Sequence, residues 1–203
     1  MCGIWCILNA RKESSTGEYE KYIQTLTPRG PERLTTHTGA NYYMGFTRLA
    51  INGLTDAGDQ PIIHTFNDYN SKLDSFKKYQ IIAICNGELY NYKEIADKLH
   101  ITLKEGCSDC YILPHLLRKL SPTAACRAID GVFAFIVVNE EDGTLLVARD
   151  PYGVRPLFQA EYRDGSHVWS SELKALPPNY KSVSPFPPGT WRKYSVVHGI
   201  GLE

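Results

Sequence analysis

The sequence has no surplus of charge of either sign, because 22 lysines and arginines balance 22 aspartates and glutamates over 203 residues. A chain without a basic excess has little with which to neutralise a phosphate backbone, so we expect no nucleic-acid partner. It also has no apolar run near the roughly 20 residues that span a bilayer, so we expect no membrane contact. The 43% apolar content predicts one globular domain over residues 1–203 with a substantial core.

Metal-binding patterns are sparse as well. The six cysteines include one Cys-x-x-Cys, from Cys107 to Cys110, and the six histidines form no close pair in the sequence. A structural zinc needs further ligands at suitable spacing, so no metal is expected. The apolar stretch at the start of the chain is too short and lacks the charge of a signal peptide. We therefore expect reduced thiols and a cytoplasmic location.

Apolar periodicity indicates an α+β fold with antiparallel strands. Strands are expected at 4–8, 42–49, 80–85, 132–139, 144–149, 157–162 and 167–170, and helices at 18–26, 92–99, 109–120 and 122–129. The polar segment 65–80 is expected to be a surface excursion, and the proline-rich tail 177–189 to be irregular. Asn91 and Ser108 are candidate N-caps. Pro114 falls inside the third helix, which either kinks there or restarts with the proline in its first turn.

Cys2 directly follows the initiator methionine and carries the most specific chemistry in the chain. Removal of Met1 would give Cys2 a free α-amine, whose ordinary pKa of about 7.7–8.0 leaves a useful neutral fraction near pH 7. That amine can accept the thiol proton, so that one residue supplies both nucleophile and base. Position alone favours the other interpretation, in which Cys2 is a small apolar residue of a buried first strand.

Three further sites have two interpretations each. Asn86-Gly87 follows an apolar strand and provides either two oxyanion donors or an ordinary hairpin turn that stops the strand. Arg48 ends a predicted strand and either binds a substrate carboxylate in a bidentate pair or is a solvated charge. Asp109 opens a predicted helix and either binds a substrate ammonium or complements the helix dipole.

Two charged turns complete the candidates. Arg29-Gly30-Pro31 is a rigid turn that would place a guanidinium near the thiol. Arg149-Asp150 stands at a strand end, where adjacent opposite charges are usually structural.

A set of short runs occurs in one order along nearly the whole chain, and the ordered set is far more specific than any member. The runs are Met1-Cys2-Gly3-Ile4-Trp5, Arg29-Gly30-Pro31, Arg48-Leu49-Ala50-Ile51, Gln60-Pro61, Asn86-Gly87-Glu88-Leu89-Tyr90-Asn91, Ser108-Asp109, Asp130-Gly131-Val132-Phe133-Ala134-Phe135, Arg149-Asp150, Gly153-Val154-Arg155-Pro156-Leu157-Phe158, Ser171-Glu172-Leu173-Lys174-Ala175-Leu176, and Phe186 with Pro188-Gly189. In this order they resemble the class II glutamine amidotransferases, whose glutaminase domain has the N-terminal-nucleophile hydrolase fold. Within that group the chain is most similar to the N-terminal domain of glutamine-hydrolysing asparagine synthetases, since Glu88 follows Asn86-Gly87.

The resemblance implies a four-layer αββα sandwich of antiparallel sheets. It also implies an enzyme that hydrolyses the side-chain amide of L-glutamine to glutamate and ammonia, for asparagine synthesis or a related amidation. Cys2 is then the nucleophile with its freed amine as base, and Asn86 and Gly87 form the oxyanion hole. No cofactor is expected in this domain, because ATP and magnesium would belong to a synthetase domain.

The same resemblance implies how glutamine is held. Arg48 would bind the α-carboxylate, and Asp109 would bind the α-ammonium with help from the segment at Glu88. Asn86 and Gly87 would also contact the substrate. The backbone expected to line the glutamine pocket belongs to Leu49, Ala50, Ile51 and Asn52.

The chain departs from the family pattern near this pocket. Pro28 and Glu32 flank Arg-Gly-Pro where the family commonly shows histidine and aspartate. Tyr111 replaces an acidic residue two positions after Asp109, and Pro114 interrupts the same helix. These changes leave the catalytic set intact and are expected to alter glutamine affinity.

The Ser-Gly-Gly-x-Asp-Ser phosphate loop of a synthetase domain does not occur in residues 1–203. The synthetase domain is therefore expected to be absent from residues 1–203, either because the chain is a stand-alone glutaminase domain or because it is a fragment of a longer protein. An ammonia-accepting synthetase domain or chain is the expected partner. Two alternatives remain open at this point. One is a non-catalytic glutamine-binding or regulatory module, and the other is a related hydrolase acting on a different amide.

Overall fold

The computed structural model describes residues 1–9, 16–51, 53–70, 75–197 and 201–202. Two antiparallel sheets form its centre. The strands are β1 Gly3–Leu8, β2 Arg33–Thr38, β3 Tyr42–Arg48, β4 Ile62–Asn70, β5 Ser75–Leu89, β6 Gly131–Asn139, β7 Thr144–Arg149, β8 Phe158–Glu161, β9 His167–Ser170, β10 Ser182–Pro185 and β11 Trp191–Ser195. The first sheet has the order β10-β8-β9-β1-β3-β2 and the second β11-β7-β6-β5-β4.

Strand β1 shows why both faces of the first sheet are covered. Successive side chains of a strand point to opposite faces. Ile4, Cys6 and Leu8 enter the core between the two sheets, whereas Trp5 and Ile7 enter a core on the outer face. A strand that is apolar at every position therefore predicts burial on both sides, and β1 is fully buried along its length.

Helices cover the outer face of each sheet. Helix α1 Thr16–Gln24 packs on the first sheet, where a Cβ on Gly45 of β3 would lie 2.3 Å from Ile23 Cδ1, so the glycine permits the close approach. Helices α2 Tyr92–Lys98, α3 Leu113–Lys119 and α4 Pro122–Ala128 cover the second sheet. The predicted four-layer αββα sandwich is therefore confirmed. No helix in the described ranges is both long and apolar enough to cross a bilayer.

The segment 65–80 is not a surface excursion, as the sequence predicts, but most of the hairpin formed by β4 and β5. Its apolar residues are widely spaced among polar ones, and the cross-strand pair Phe66 and Tyr79 stacks with ring centroids 5.7 Å apart on the face beneath α3, whereas Tyr69 and Phe76 are exposed. The turn at 71–74 lies outside the described residues. Strand β5 also continues through Asn86-Gly87 to Leu89, so the hairpin-turn interpretation of that pair is wrong.

Other differences lie at the ends of elements. The proline-rich tail contains β10, and β2 and β11 are strands that the sequence did not indicate. Asn91 occupies the N-cap position of α2, but its side chain bonds Ala128 O and Asp130 N instead of capping the helix. Ser108 caps a 3-10 helix from Asp109 to Ile112, and α3 then restarts with Pro114 in its first turn, where a missing N–H is harmless.

Candidate active site

A pocket opens where β1 begins and where β3 and β5 end. It holds about 470 Å³ of space, a volume that includes the open solvent at its mouth. Its walls contain most of the residues that the sequence singles out: Cys2, Arg48, Leu49, Ile51, Asn86, Gly87, Glu88 and Asp109. Ala50 does not line the pocket, and Asn52 lies outside the described residues.

The Cys2 sulfur is held by the backbone that follows β3. Leu49 N–H donates to Sγ at 3.4 Å, and Sγ is 3.5 Å from Leu49 O. Burial raises the pKa of the Cys2 thiol above its ordinary value, although the bond from Leu49 N–H acts in the opposite direction. Cys2 is half-buried and borders the inter-sheet core, yet it lines the pocket, so it is more than a core residue.

Arg29 and Asn86 fix the backbone of Cys2. Arg29 Nε donates to Cys2 O at 2.9 Å, and Arg29 Nη1 pairs with Glu172 Oε1 at 3.1 Å. In the amide orientation that matches donors to acceptors, Asn86 Nδ2 donates to Cys2 O at 3.2 Å and Oδ1 accepts from Arg29 Nη2 at 3.3 Å. The turn at Arg29 thus braces the start of the chain, as its sequence indicated, and one Asn86 N–H remains for the pocket.

The backbone of Gly87 points away from β6. Its partner in the ladder is Phe133, whose N–H donates to Asp150 Oδ2 at 3.2 Å and whose carbonyl accepts from Asp150 N–H at 2.8 Å. Because Phe133 bonds toward β7, the pair with Gly87 is a non-hydrogen-bonded one. A Cβ on Gly87 would lie 2.6 Å from Val132 O, so only glycine fits this close approach.

Beyond its last pair with β4, the edge of β5 has three positions whose backbone groups have no strand partner, at Cys85, Gly87 and Leu89. Side chains bond the backbone at Cys85 and Leu89. Gln60 replaces the ladder at Cys85, accepting from its N–H at 2.6 Å and donating to its carbonyl at 3.1 Å. Asp109 Oδ2 accepts from Leu89 N–H at 2.6 Å. Gly87 lies between them on the same edge, and its N–H has no bonding partner in the part of the chain that is described. That N–H faces the pocket as a free donor.

Arg48 is buried, with only 7% of its surface exposed, so the interpretation as a solvated charge is wrong. Its Nη2 donates to Gly53 O and, at 3.0 Å, to Thr55 O, and its Nη1 pairs with Asp59. A guanidinium has five N–H groups. Two of them remain without a protein acceptor among the described residues, and they are available to a ligand.

Asp109 is 5% exposed and turns back from its 3-10 helix toward the end of β5. Its Oδ1 accepts from Ser108 Oγ at 3.0 Å, and its Oδ2 from Leu89 N–H. It forms no ion pair with any described residue, whereas Glu88 Oε1 pairs with Arg155 Nη2 at 2.7 Å. The pocket therefore presents one buried carboxylate without a protein cation.

Sequence reasoning singled out neither Arg155 nor Gln60 as a site residue. Both occur in the ordered runs, in Gly153-Val154-Arg155-Pro156 and in Gln60-Pro61, so their position in the family order was the available signal. Metal ligation is not indicated, because no group of three or more His, Cys, Asp or Glu side chains suits a metal within the described ranges.

Comparison with known proteins indicates the same family that the ordered motifs resemble. A family model described as a glutamine amidotransferase domain matches residues 1–186. A probable asparagine synthetase (glutamine-hydrolyzing) of Acanthamoeba polyphaga mimivirus is 35% identical over 182 residues, which cover 87% of this chain and 30% of the relative. One from Dictyostelium discoideum is 34% identical over 194 residues, covering 93% of this chain and 32% of the relative. The chain thus spans about 30% of the length of these relatives.

Solved structures agree on the fold. The glutamine phosphoribosylpyrophosphate amidotransferase from B. subtilis superposes with a TM-score of 0.71 at 20% identity, covering 96% of this chain and 47% of that chain. At this level of identity the likeness supports the fold alone.

Proposed function

Because this chain belongs to the glutamine amidotransferase domain family, we propose that it hydrolyses the side-chain amide of L-glutamine to glutamate and ammonia. One observation carries the proposal. The Cys2 thiol, the Asn86 amide and the free Gly87 N–H meet in one pocket with a buried guanidinium at Arg48 and an unpaired carboxylate at Asp109.

The first step of the proposed reaction is activation of the thiol. Burial raises the pKa of Cys2, so its side chain is protonated near neutral pH and needs a base. Removal of Met1 would create an α-amine on the same residue, with an ordinary pKa near the working pH of about 7–8. The amine takes the thiol proton, and the sulfur attacks the amide carbon of glutamine.

The remaining steps use two donors and water. Attack places a negative charge on the amide oxygen, which Asn86 Nδ2 and Gly87 N–H stabilise. The protonated amine returns a proton to the leaving nitrogen, the C–N bond breaks, and ammonia departs from a γ-glutamyl thioester on Cys2. Water, deprotonated by the same amine, then cleaves the thioester to glutamate and the free thiol. These steps use only groups of the chain and water, so we propose that the hydrolysis needs no cofactor.

The charges of the pocket support an amino acid as substrate. Arg48 has N–H groups free for an α-carboxylate, and Asp109 has lone pairs free for an α-ammonium. An amide that lacks either charge would leave one of these buried groups without its partner, which is costly. This argues against the alternative of a hydrolase for a different amide.

An ammonia-accepting domain or chain is the proposed partner. Two exposed apolar side chains, Met1 and Ile51, line the pocket itself. The relatives are about three times as long as this chain, in keeping with such an acceptor. The six free cysteines support a reducing compartment such as the cytoplasm.

The test combines N-terminal sequencing with an assay of glutamate release and with labelling by 6-diazo-5-oxo-L-norleucine. We expect protein lacking Met1 to release glutamate and to carry one adduct, located on Cys2 by peptide mass spectrometry. Cys2→Ala should abolish both, while Cys126→Ser, a half-buried thiol outside the pocket, should preserve both. Glutamine binding without turnover in processed protein would favour the regulatory module and overturn the enzyme.

A further inference from the structure

Arg48 has a second arginine beside it. Arg33 begins β2 and is the register partner of Arg48 at the end of β3, so the two side chains leave the same face of the sheet next to each other. Like charges in directly opposite positions of an antiparallel pair are destabilising. The arrangement is therefore favourable only with an anion between the two guanidinium groups.

Asp59 is that anion, and its two oxygens are divided between the arginines. Oδ1 accepts from Arg48 Nη1, and Oδ2 accepts from Arg33 Nη1. Arg33 Nη1 also bonds Asp56 Oδ1 at 2.9 Å, on a side chain that is fully open to solvent. Because one oxygen of Asp59 is held by Arg33, Asp59 contacts Arg48 through a single oxygen.

This division decides how many N–H groups of Arg48 are left for a ligand. A carboxylate and a guanidinium frequently form a fork of two parallel bonds, and a fork with Asp59 would take a second N–H of Arg48. Gly53 O and Thr55 O already accept from Nη2. With Asp59 bound through one oxygen, two N–H groups of Arg48 have no acceptor among the described residues. An α-carboxylate needs two donors to bind in bidentate form.

Arg33 lies too far back to touch a ligand in the pocket. Neither Arg33 nor Asp59 belongs to the pocket wall, whereas Arg48 does. The side chain of Arg33 is half-exposed, and that of Asp59 is 19% exposed. An effect of Arg33 on glutamine must therefore pass through Asp59 and Arg48.

Resting on the proposed function, we infer that Arg33 is a positioning residue for the subsite that binds the glutamine α-carboxylate. By holding one oxygen of Asp59, it prevents that carboxylate from forming a fork with Arg48. The guanidinium of Arg48 then keeps its free N–H groups for the substrate. It also keeps its attraction for an anion, because two arginines share the carboxylate of Asp59 and the three groups together remain positive.

The test measures the dissociation constant of glutamine by calorimetry in a Cys2→Ala background, where no turnover occurs. Arg33→Met should weaken binding at least about fivefold, because Asp59 is then free to take a second N–H of Arg48 and to neutralise it. Asp59→Asn alone should change binding by less than about threefold, since a neutral amide offers Arg48 one oxygen and no charge.

Rescue separates this role from a merely structural one. Adding Asp59→Asn to Arg33→Met should restore binding to within about threefold of the parent, whereas a loss caused by a damaged fold would persist or deepen in the double variant. Arg33→Lys keeps a positive charge that can hold one oxygen of Asp59, so it should also stay within about threefold.

Two variants serve as controls. Asp56→Asn removes only the solvent-exposed partner of Arg33, and Lys181→Met removes an exposed cation from a 2.9 Å ion pair with Glu161 outside the pocket. Both should leave glutamine binding unchanged. In proteins with Cys2 intact, the loss in Arg33→Met should appear in KM, with kcat altered less.

The outcomes distinguish this inference from the proposed function. Unchanged binding in Arg33→Met would overturn the inference, and so would the absence of rescue in the double variant. A loss from Asp59→Asn as large as that from Arg33→Met would also overturn it, because Asp59 would then support Arg48 and not compete for it. The expected pattern of binding without turnover in processed wild-type protein would overturn only the proposed function. Absence of glutamine binding to the parent would overturn both.

Discussion

The oxyanion donor at Asn86 gives the most direct test of the proposed chemistry. Asn86 is 1% exposed, and its amide bonds Cys2 O and Arg29 while one N–H faces the pocket. Asn86→Ala removes one of two donors to the developing negative charge. Loss of one such donor typically lowers kcat by about 10²–10³, which corresponds to about 2.7–4 kcal/mol. We expect a loss of this size, with KM altered by less than about threefold.

The variant also removes hydrogen bonds to Cys2 O and Arg29, and a control is needed for the resulting loss of stability. Asn91 provides it, because its side chain donates to Ala128 O at 2.9 Å and accepts from Asp130 N–H at 3.0 Å outside the pocket. Asn91→Ala should lower stability by about 0.5–1.5 kcal/mol for each hydrogen bond lost, with kcat unchanged, because the groups it bonds are half-buried at Ala128 and exposed at Asp130.

The assay is steady-state glutamate release from processed protein, together with urea unfolding of each variant. The distinction is kinetic, since a donor that acts on the oxyanion lowers kcat and kcat/KM together. A kcat for Asn86→Ala within about threefold of wild type would refute the assignment of the oxyanion hole. Equal losses of kcat in Asn86→Ala and Asn91→Ala would show that the effect is general instability.

The remaining predictions concern substrate binding, packing and pH. Arg48→Lys should raise KM at least about tenfold with a smaller change in kcat, because lysine keeps the charge but cannot reach the acceptors around Arg48 together; an unchanged KM would contradict this. Ile84→Ala, between the sheets, should cost about 2–5 kcal/mol in urea unfolding, whereas Ile63→Ala at an exposed site should cost no more than about 0.5 kcal/mol. Burial lowers the pKa of His115 to about 4, and the nearby positive groups His64, Lys119, Arg118 and Lys104 act in the same direction. As pH falls from about 6.5 to about 4, this histidine therefore binds a proton in the unfolded chain but not in the native chain. Stability should fall over that range, less steeply in His115→Asn, and an identical pH dependence in the variant would count against the argument.

The apolar pattern of β1 predicts a strand that is covered on both faces, but it does not say what covers it. The four layers of the fold are implied by the family resemblance of the ordered motifs, because periodicity alone indicates only an α+β fold. The hairpin of β4 and β5 escaped prediction because its sequence between residues 65 and 80 shows no period-2 apolar pattern. Phe66 and Tyr79 are widely separated in the sequence and identify one buried face only once the two strands are paired.

The limit of sequence-based prediction is clearer at the site than in the fold. The ordered motifs identify Asn86-Gly87, but the local pattern favours a turn, and nothing within those residues shows that the strand continues. The decisive information lies in Gln60 and Asp109, about 25 residues away on either side. Pairwise contacts of this kind are set by tertiary structure, so short-range pattern analysis cannot supply them.

The free N–H of Gly87 is best understood as a gap in a sheet ladder. Strand β4 begins at Ile62, which pairs with Ala83, so the edge of β5 beyond Ala83 has no strand beside it. An unpaired buried N–H is costly. At two of the three positions without a strand partner, side chains from distant segments accept a hydrogen bond from the backbone N–H. The third is left open at the glycine, where the pocket lies. Because strand side chains alternate between faces, a shift of β5 by one residue would turn Asn86 away from Cys2 and turn the Gly87 N–H toward β6 at the same time. The register that buries Ile82 and Ile84 between the sheets is therefore the same register that assembles the two oxyanion donors.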